Sequence, residues 1–171
     1  MTIKRTFSIA SATLITLGLS LGQAGARMHR TGNDDARKTL REIEVLASHV
    51  EDQADQLVHV SQNQNLSPYS HLARLDAMKD GVNQMGRDLA ILEAERDTLP
   101  LWEQEAVDDT LPLLRDAAKN TESAIEYFNE NRTRLWTPDY RSYASRVYDD
   151  SSGIAKSLKG YLKYDNVREE R

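Results

Sequence analysis

The sequence predicts an all-α protein: an up-down-up-down antiparallel four-helix bundle whose third helix is kinked near Pro112. Three observations carry that expectation. Apolar residues recur at alternating steps of three and four along four stretches, which is one face of a helix with ~3.6 residues per turn. Ser67-Pro68 and Thr137-Pro138 set a capping hydroxyl before a proline, a signal for a helix start. The polar breaks between stretches are short, so consecutive helices must lie antiparallel. With 8 glycines, 4 prolines and 6% aromatics in 171 residues, an all-β chain is disfavoured. The length fits one domain.

Residues 1–26 stand apart. Lys4 and Arg5 form a basic start, Phe7 to Gly22 is apolar, and Ala24-Gly25-Ala26 is an A-x-A cleavage signal. The expectation is a signal peptide, 1–26, followed by a bundle domain, 27–171. The apolar run falls short of the ~20 residues that span a bilayer. The chain has no cysteine, which excludes disulfides, thiolate metal sites and a cysteine nucleophile.

The first helix is expected over about 35–62, with Leu40, Ile43, Ala47, Val50, Ala54 and Leu57 as its seam and Asn33, Asp34 and Asp35 at its start. The second starts at Ser67-Pro68 and carries Leu72, Leu75, Met78, Val82, Met85, Leu89 and Leu92 to about Asp97. Gly81 and Gly86 lie inside it, each costing ~1 kcal/mol against alanine. Gly86 adjoins the apolar row and is expected at a close helix contact.

The third helix has two rows side by side. Val107, Leu111, Leu114, Ala118, Thr121, Ile125, Phe128 and Leu135 form one; Thr110, Leu113, Ala117, Asn120, Ala124 and Tyr127 form the other. The second row is mostly small, so a neighbour can approach closely. Pro112 removes a backbone donor and either kinks one helix running from Pro100 to about Asn131 or divides it near Asp109. The kink is the expectation adopted. A three-helix arrangement with a separate Trp102 segment is the alternative. The fourth helix follows Thr137-Pro138 with Tyr140, Ala144, Val147, Ile154, Leu158, Tyr161 and Leu162.

Bundles commonly hold metals, so the histidines come first. Di-iron bundles use Glu-x-x-His, and no histidine here has a glutamate three residues before it. Met78 and Met85 share a face but suit core packing better than haem ligation. His59 and His71 flank the first turn and are the metal candidates, with Asp55 four residues before His59 to orient it. Their alternative is two exposed loop-side histidines. Glu103, Glu105, Asp108 and Asp109 lack the glycine turn of a calcium loop and read as a solvated or salt-bridged face. No nucleophile elbow, zinc-protease motif or phosphate loop occurs.

Tyr143 and Tyr148 cannot both face the core beside Tyr140 and Val147. With Trp136 they form the candidate interaction surface. Beyond residue 26 the chain holds 20 basic and 27 acidic residues, a balance poorly suited to nucleic acid or an anionic membrane. The topology brings Arg37, Lys38 and Arg41 of the first helix and Lys156, Lys159, Lys163 and Arg168 of the fourth to the same end as Glu93, Glu95, Asp97, Glu103, Glu105, Asp108 and Asp109, so the acidic run is expected to be neutralised within the molecule. It also puts Arg87 at the height of Glu44.

Trp102-Glu-Gln-Glu-Ala106, Thr110-Leu-Pro-Leu-Leu114, Asn120-Thr-Glu-Ser-Ala-Ile125, Asn129-Glu-Asn131, Trp136-Thr-Pro-Asp-Tyr140 and Lys163-Tyr164 together resemble a group of exported bacterial helical proteins with no assigned activity. The resemblance implies an exported bundle and transfers no catalytic or binding residue. The functional expectation is therefore an exported, non-catalytic bundle. It would bind a protein or envelope component, without a cofactor and without inserting in a membrane after cleavage. The alternative is a periplasmic carrier of a ligand or metal, and a hydrolase with a dispersed site ranks below both.

Overall fold

The computed structural model describes residues 31–169, with side chains from 34 to 164. The expected signal peptide and its cleavage point lie outside the described residues. Four helices follow: α1 (Thr31–Val60), α2 (Pro68–Ala94), α3 (Leu101–Glu130) and α4 (Pro138–Glu169), with a single 3-10 turn, Arg96–Thr98, between α2 and α3. Each helix packs on two others, α1 on α2 and α4, and α3 on α2 and α4. This is the ring of an antiparallel four-helix bundle, as the short connections require.

Every residue of the α1 seam, Leu40, Ile43, Ala47, Val50, Ala54 and Leu57, is fully buried. The helix starts at Thr31, so Asn33 to Asp35 occupy its first turns and do not precede it. It stops at Val60, where the Ser61 hydroxyl donates to the Val58 carbonyl at 2.7 Å. Ser67 caps α2 as expected: its hydroxyl accepts from the Tyr69 amide and Pro68 takes the first helical position. α2 ends at Ala94, three residues before the expected end, because the chain tightens into the 3-10 turn.

α3 is one helix with Pro112 inside it. The break near Asp109 and the separate Trp102 segment are thereby excluded. Val107 and Leu114, on either side of the proline, are both buried, so one face of the helix stays inward across it. Asp108 and Pro112 are exposed, so the carbonyl deprived of its backbone donor lies on the solvent side. The core stripe runs between the two expected rows. Val107, Thr110, Leu114, Ala117, Thr121, Ala124 and Phe128 are buried, Leu111, Leu113 and Ile125 are half-buried, and Ala118 is exposed.

The register between α3 and α4 is even. The Tyr161 hydroxyl donates to Asp109 at 2.7 Å, Asn120 reaches Asp150 at 3.5 Å, and the rings of Tyr127 and Tyr143 lie 6.5 Å apart. Asn120 and Tyr127 follow Asp109 by 11 and 18 residues; Asp150 and Tyr143 precede Tyr161 by the same 11 and 18. No slip accumulates over five turns that include Pro112. Leu113 and Gly153 belong to the same seam, where a Cβ on the glycine would come within 3.2 Å of Leu113 Cδ1.

The close contact between α1 and α2 is at Gly81, not at Gly86. A Cβ on Gly81 would fall well inside the radius of Val50 Cγ2, whereas one on Gly86 would meet nothing within 4 Å. Five residues turn a helix by ~140°, which carries Gly86 off the face that touches α1. The Val50–Gly81 contact sets the α1–α2 register and does place Glu44 opposite Arg87. The pair is not made: Arg87 donates to Gln84 on its own helix, and Gln84 donates to Asp88.

Candidate functional site

The two connections on one side of the bundle, 61–67 and 131–137, share an end, here termed the loop end. Three helices meet there through rings. His71 opens the core row of α2, and Tyr140 opens that of α4. Their ring centroids are 5.7 Å apart and tilted by 43°. Tyr127 of α3 stacks on Tyr140 at 5.5 Å and 27°, and Thr137 donates to the Tyr127 hydroxyl at 2.6 Å. Such ring pairs add ~0.5–1.5 kcal/mol beyond burial. The Arg132 guanidinium lies 5.3 Å over the Phe128 ring, a cation–π contact that orients it at the tip.

Burial decides the state of the inner pair. It pushes the His71 pKa down and the Tyr140 hydroxyl up, so both rings are neutral near pH 7. His71 Nδ1 and the Tyr140 hydroxyl are buried without a hydrogen-bond partner.

The two metal candidates fall into different environments. His59 is exposed, and its Nδ1 donates to the Asp55 carbonyl at 2.8 Å, which leaves Nε2 toward solvent. His71 is buried at 2% exposure against Tyr140, contrary to its reading as an exposed loop-side residue. The reason is spacing: His71 precedes Leu75, Met78 and Val82 by 4, 7 and 11 residues, which is the core row itself. Among the described residues no three histidine, aspartate or glutamate side chains gather as a metal cluster.

The candidate interaction surface divides. Tyr143 is half-buried in the α3–α4 seam against Tyr127, while Tyr148 is 36% exposed. They are five residues apart, so they leave α4 on sides ~140° apart. Trp136, 37% exposed, belongs to neither seam and sits on the loop end. The exposed apolar surface there has two members that the sequence reading did not select. Tyr69 is 81% exposed beside Pro68, and Leu66 precedes the Ser67 cap. A signal existed: Tyr69 is out of phase with the row that His71 begins.

At the opposite end the acidic run is not uniformly solvated. Glu103 is fully buried and engaged. It lies 7, 14 and 21 residues before Thr110, Ala117 and Ala124, on the small row of α3 extended backward. Arg96 pairs with Asp108, whose carboxylate raises the Arg96 pKa by hydrogen bond and charge. Asp109 accepts from Tyr161, and this bond pushes the Tyr161 pKa up to about 12. The Tyr161 bond brings the Lys159–Lys163 segment alongside the acids, as the topology requires. Among the described residues the ion pair to this run is nevertheless made by Arg96, with Asp108.

Elsewhere, Thr121, Ser151 and Ser152 are buried hydroxyls with no hydrogen-bond partner, so none is set beside an activating base. Asp150 is raised by burial and by Asp116, with Asn120 opposing. An open groove of about 530 Å³ runs between α1 and α2, lined by Lys38, Arg41, Glu42, Val45, Leu46, Gln84 and Asp88. Among the described residues no helix is long and apolar enough to cross a membrane. Comparison with protein-family models, with curated proteins and with solved structures gives no match.

Proposed function

We propose that this chain is an exported, non-catalytic helical bundle that binds a protein or envelope component through its loop end. The observation that carries the proposal is the grouping of Leu66, Tyr69 and Trp136. These are large apolar side chains left exposed at that end, Leu66 and Trp136 on its two connections and Tyr69 in the first turn of α2. The His71–Tyr140 contact ties the connections together, since Tyr69 is two residues from His71 and Trp136 four from Tyr140. Single exposed hydrophobes are ordinary, but a group on a rigid support is the usual form of a binding surface. Export is proposed from Lys4, Arg5 and Ala24-Gly25-Ala26, which direct cleavage before Arg27.

The test is site-specific photocrosslinking in intact cells. A crosslinker at position 69 should capture a defined envelope component, and one at position 101 on the far end should not. Equal labelling from both positions would count against a loop-end site. Mass spectrometry of the exported protein should find Arg27 at its N-terminus; protein outside the cytoplasm still beginning at Met1 would reject cleavage.

A further inference from the structure

We infer that His71 is an acid-sensitive latch: protonation drives its ring out of contact with Tyr140 and frees the first turn of α2 with the 61–67 connection, while the rest of the bundle stays folded. The latch stands on packing; that it releases the binding surface rests on the loop-end reading above.

α2 and α4 face each other across the bundle, each packed on α1 and α3. The His71–Tyr140 contact therefore crosses the core and closes its loop end. Of the three histidines among the described residues, His49 and His59 are exposed and His71 alone is buried. A neutral imidazole fits such a site, whereas an imidazolium needs water or a carboxylate.

Among the described residues no carboxylate is placed to serve. From α4 the ring faces Tyr140, and Tyr127 of α3 stacks behind it. The Val50–Gly81 contact sets His71 level with Val60 of α1. Asp55 and His59 of α1, Asp76 of α2, Glu126 and Glu130 of α3 and Asp139 of α4 are all exposed to water. Glu51 and Asp150 are half-buried but lie nine and ten residues along their helices from Val60 and Tyr140, ~14–15 Å at the rise of a helix. Arg74 and Arg141 are half-buried cations, which repel a charged ring. The first turn of α2 holds no acid, so the positive end of the helix dipole also opposes the proton. Burial is what depresses the His71 pKa.

The segment that the ring holds is otherwise tied only to itself. Its backbone bonds are local: the amides of Ser61, Asn63, Leu66 and Ser70 donate to Leu57, Val60, Asn63 and Ser67. Residues 62–69 are all exposed, so His71 is the first buried residue after Ser61 and anchors what lies between. The next buried residue of α2 is Leu75, one turn on, where the core row resumes. Loss of the His71 contact is thereby a local opening and not a global one.

The test is amide hydrogen exchange of the full chain at about pH 7 and about pH 5, corrected for the intrinsic effect of pH on exchange. Protection of residues 61–72 should fall on acidification by up to ~25-fold, the limit for a ring that titrates at 6.5 only in the open form. Protection of residues 104–125 in α3 should hold. His71→Leu should keep the segment protected at both values, and His59→Leu, an exposed control, should respond as wild type does. In wild type the ring-proton resonances of His71 should titrate together with the opening, a readout that needs no variant to fold. An acid response that survives His71→Leu, a loss of protection spread evenly over all four helices, or a ring that titrates at or above 6.5 in the folded protein would overturn the latch. Crosslinking from position 69 should weaken in acidified medium in wild type and persist in His71→Leu. Absence of any crosslink at either pH, with the exchange response intact, would sink the loop-end reading and leave the latch standing.

Discussion

At the loop end three helices are joined by neutral rings, His71, Tyr140 and Tyr127, that exclude water from the core. At the acidic end the core is aliphatic, with Leu40, Leu92, Leu99 and Leu158 around Trp102, and the polar contacts between elements, Arg96 with Asp108 and Tyr161 with Asp109, lie on the surface. The first kind of contact is set by shape and burial, and is indifferent to salt. The second is set by charge in water and is worth little per pair. The ring cluster lies under the end that exposes Tyr69 and Trp136, so a binding surface there sits on a packed base. A rigid support under an exposed aromatic reduces the ordering cost of binding.

The largest expected effect tests that stiffness. Tyr140→Ala should cost about 3–5 kcal/mol in urea unfolding, because it removes a fully buried ring that touches two others. Tyr140→Phe should cost nothing measurable, since the hydroxyl has no hydrogen-bond partner. A large loss in the phenylalanine variant would show that the hydroxyl matters and that the ring cluster is polar in character.

Acid should loosen the same end next. The folded His71 pKa lies below its unfolded value of 6.5, so the unfolded chain takes up the proton first. The contribution of His71 is therefore complete above pH 6.5 and is lost as pH falls through the depressed folded value. Melting temperature should drop on acidification from about pH 7 to pH 5, and His71→Leu should flatten that slope. An unaltered slope would place the sensitivity elsewhere.

The acidic end should respond to salt instead. Arg96→Ala or Asp108→Ala should cost ~0–1 kcal/mol at low ionic strength and less in 1 M salt. A loss of several kcal/mol, or one unaffected by salt, would erase the contrast between the ends. The smallest effect belongs to His59→Ala, expected within ~0.5 kcal/mol because the ring is exposed and bonds only within its own turn. A melting temperature raised by zinc or copper in wild type but not in this variant would instead reveal a site.

The sequence by itself determined the helices, their order and their antiparallel pairing. Period and helix starts are local properties, written in Leu40 to Leu57, in Ser67-Pro68 and in Thr137-Pro138, although only Ser67 caps its helix with its hydroxyl; that of Thr137 donates to Tyr127. It also held signals that went unread. His71 and Glu103 stand on core rows, but a polar residue at a row's end is easily assigned to the loop beside it. Only the tertiary structure decided which of Gly81 and Gly86 takes the close contact, and that the core of α3 runs between two apolar rows. Both depend on helix rotation about its own axis, fixed by the neighbour and not by the helix. Partnership was likewise tertiary. Glu44 and Arg87 reach the same height, yet Gln84 takes the guanidinium, because a residue one turn away on the same helix costs less ordering than one across a groove. The gathering of Leu66, Tyr69 and Trp136 at one end also follows from topology, which joins segments about 65 residues apart.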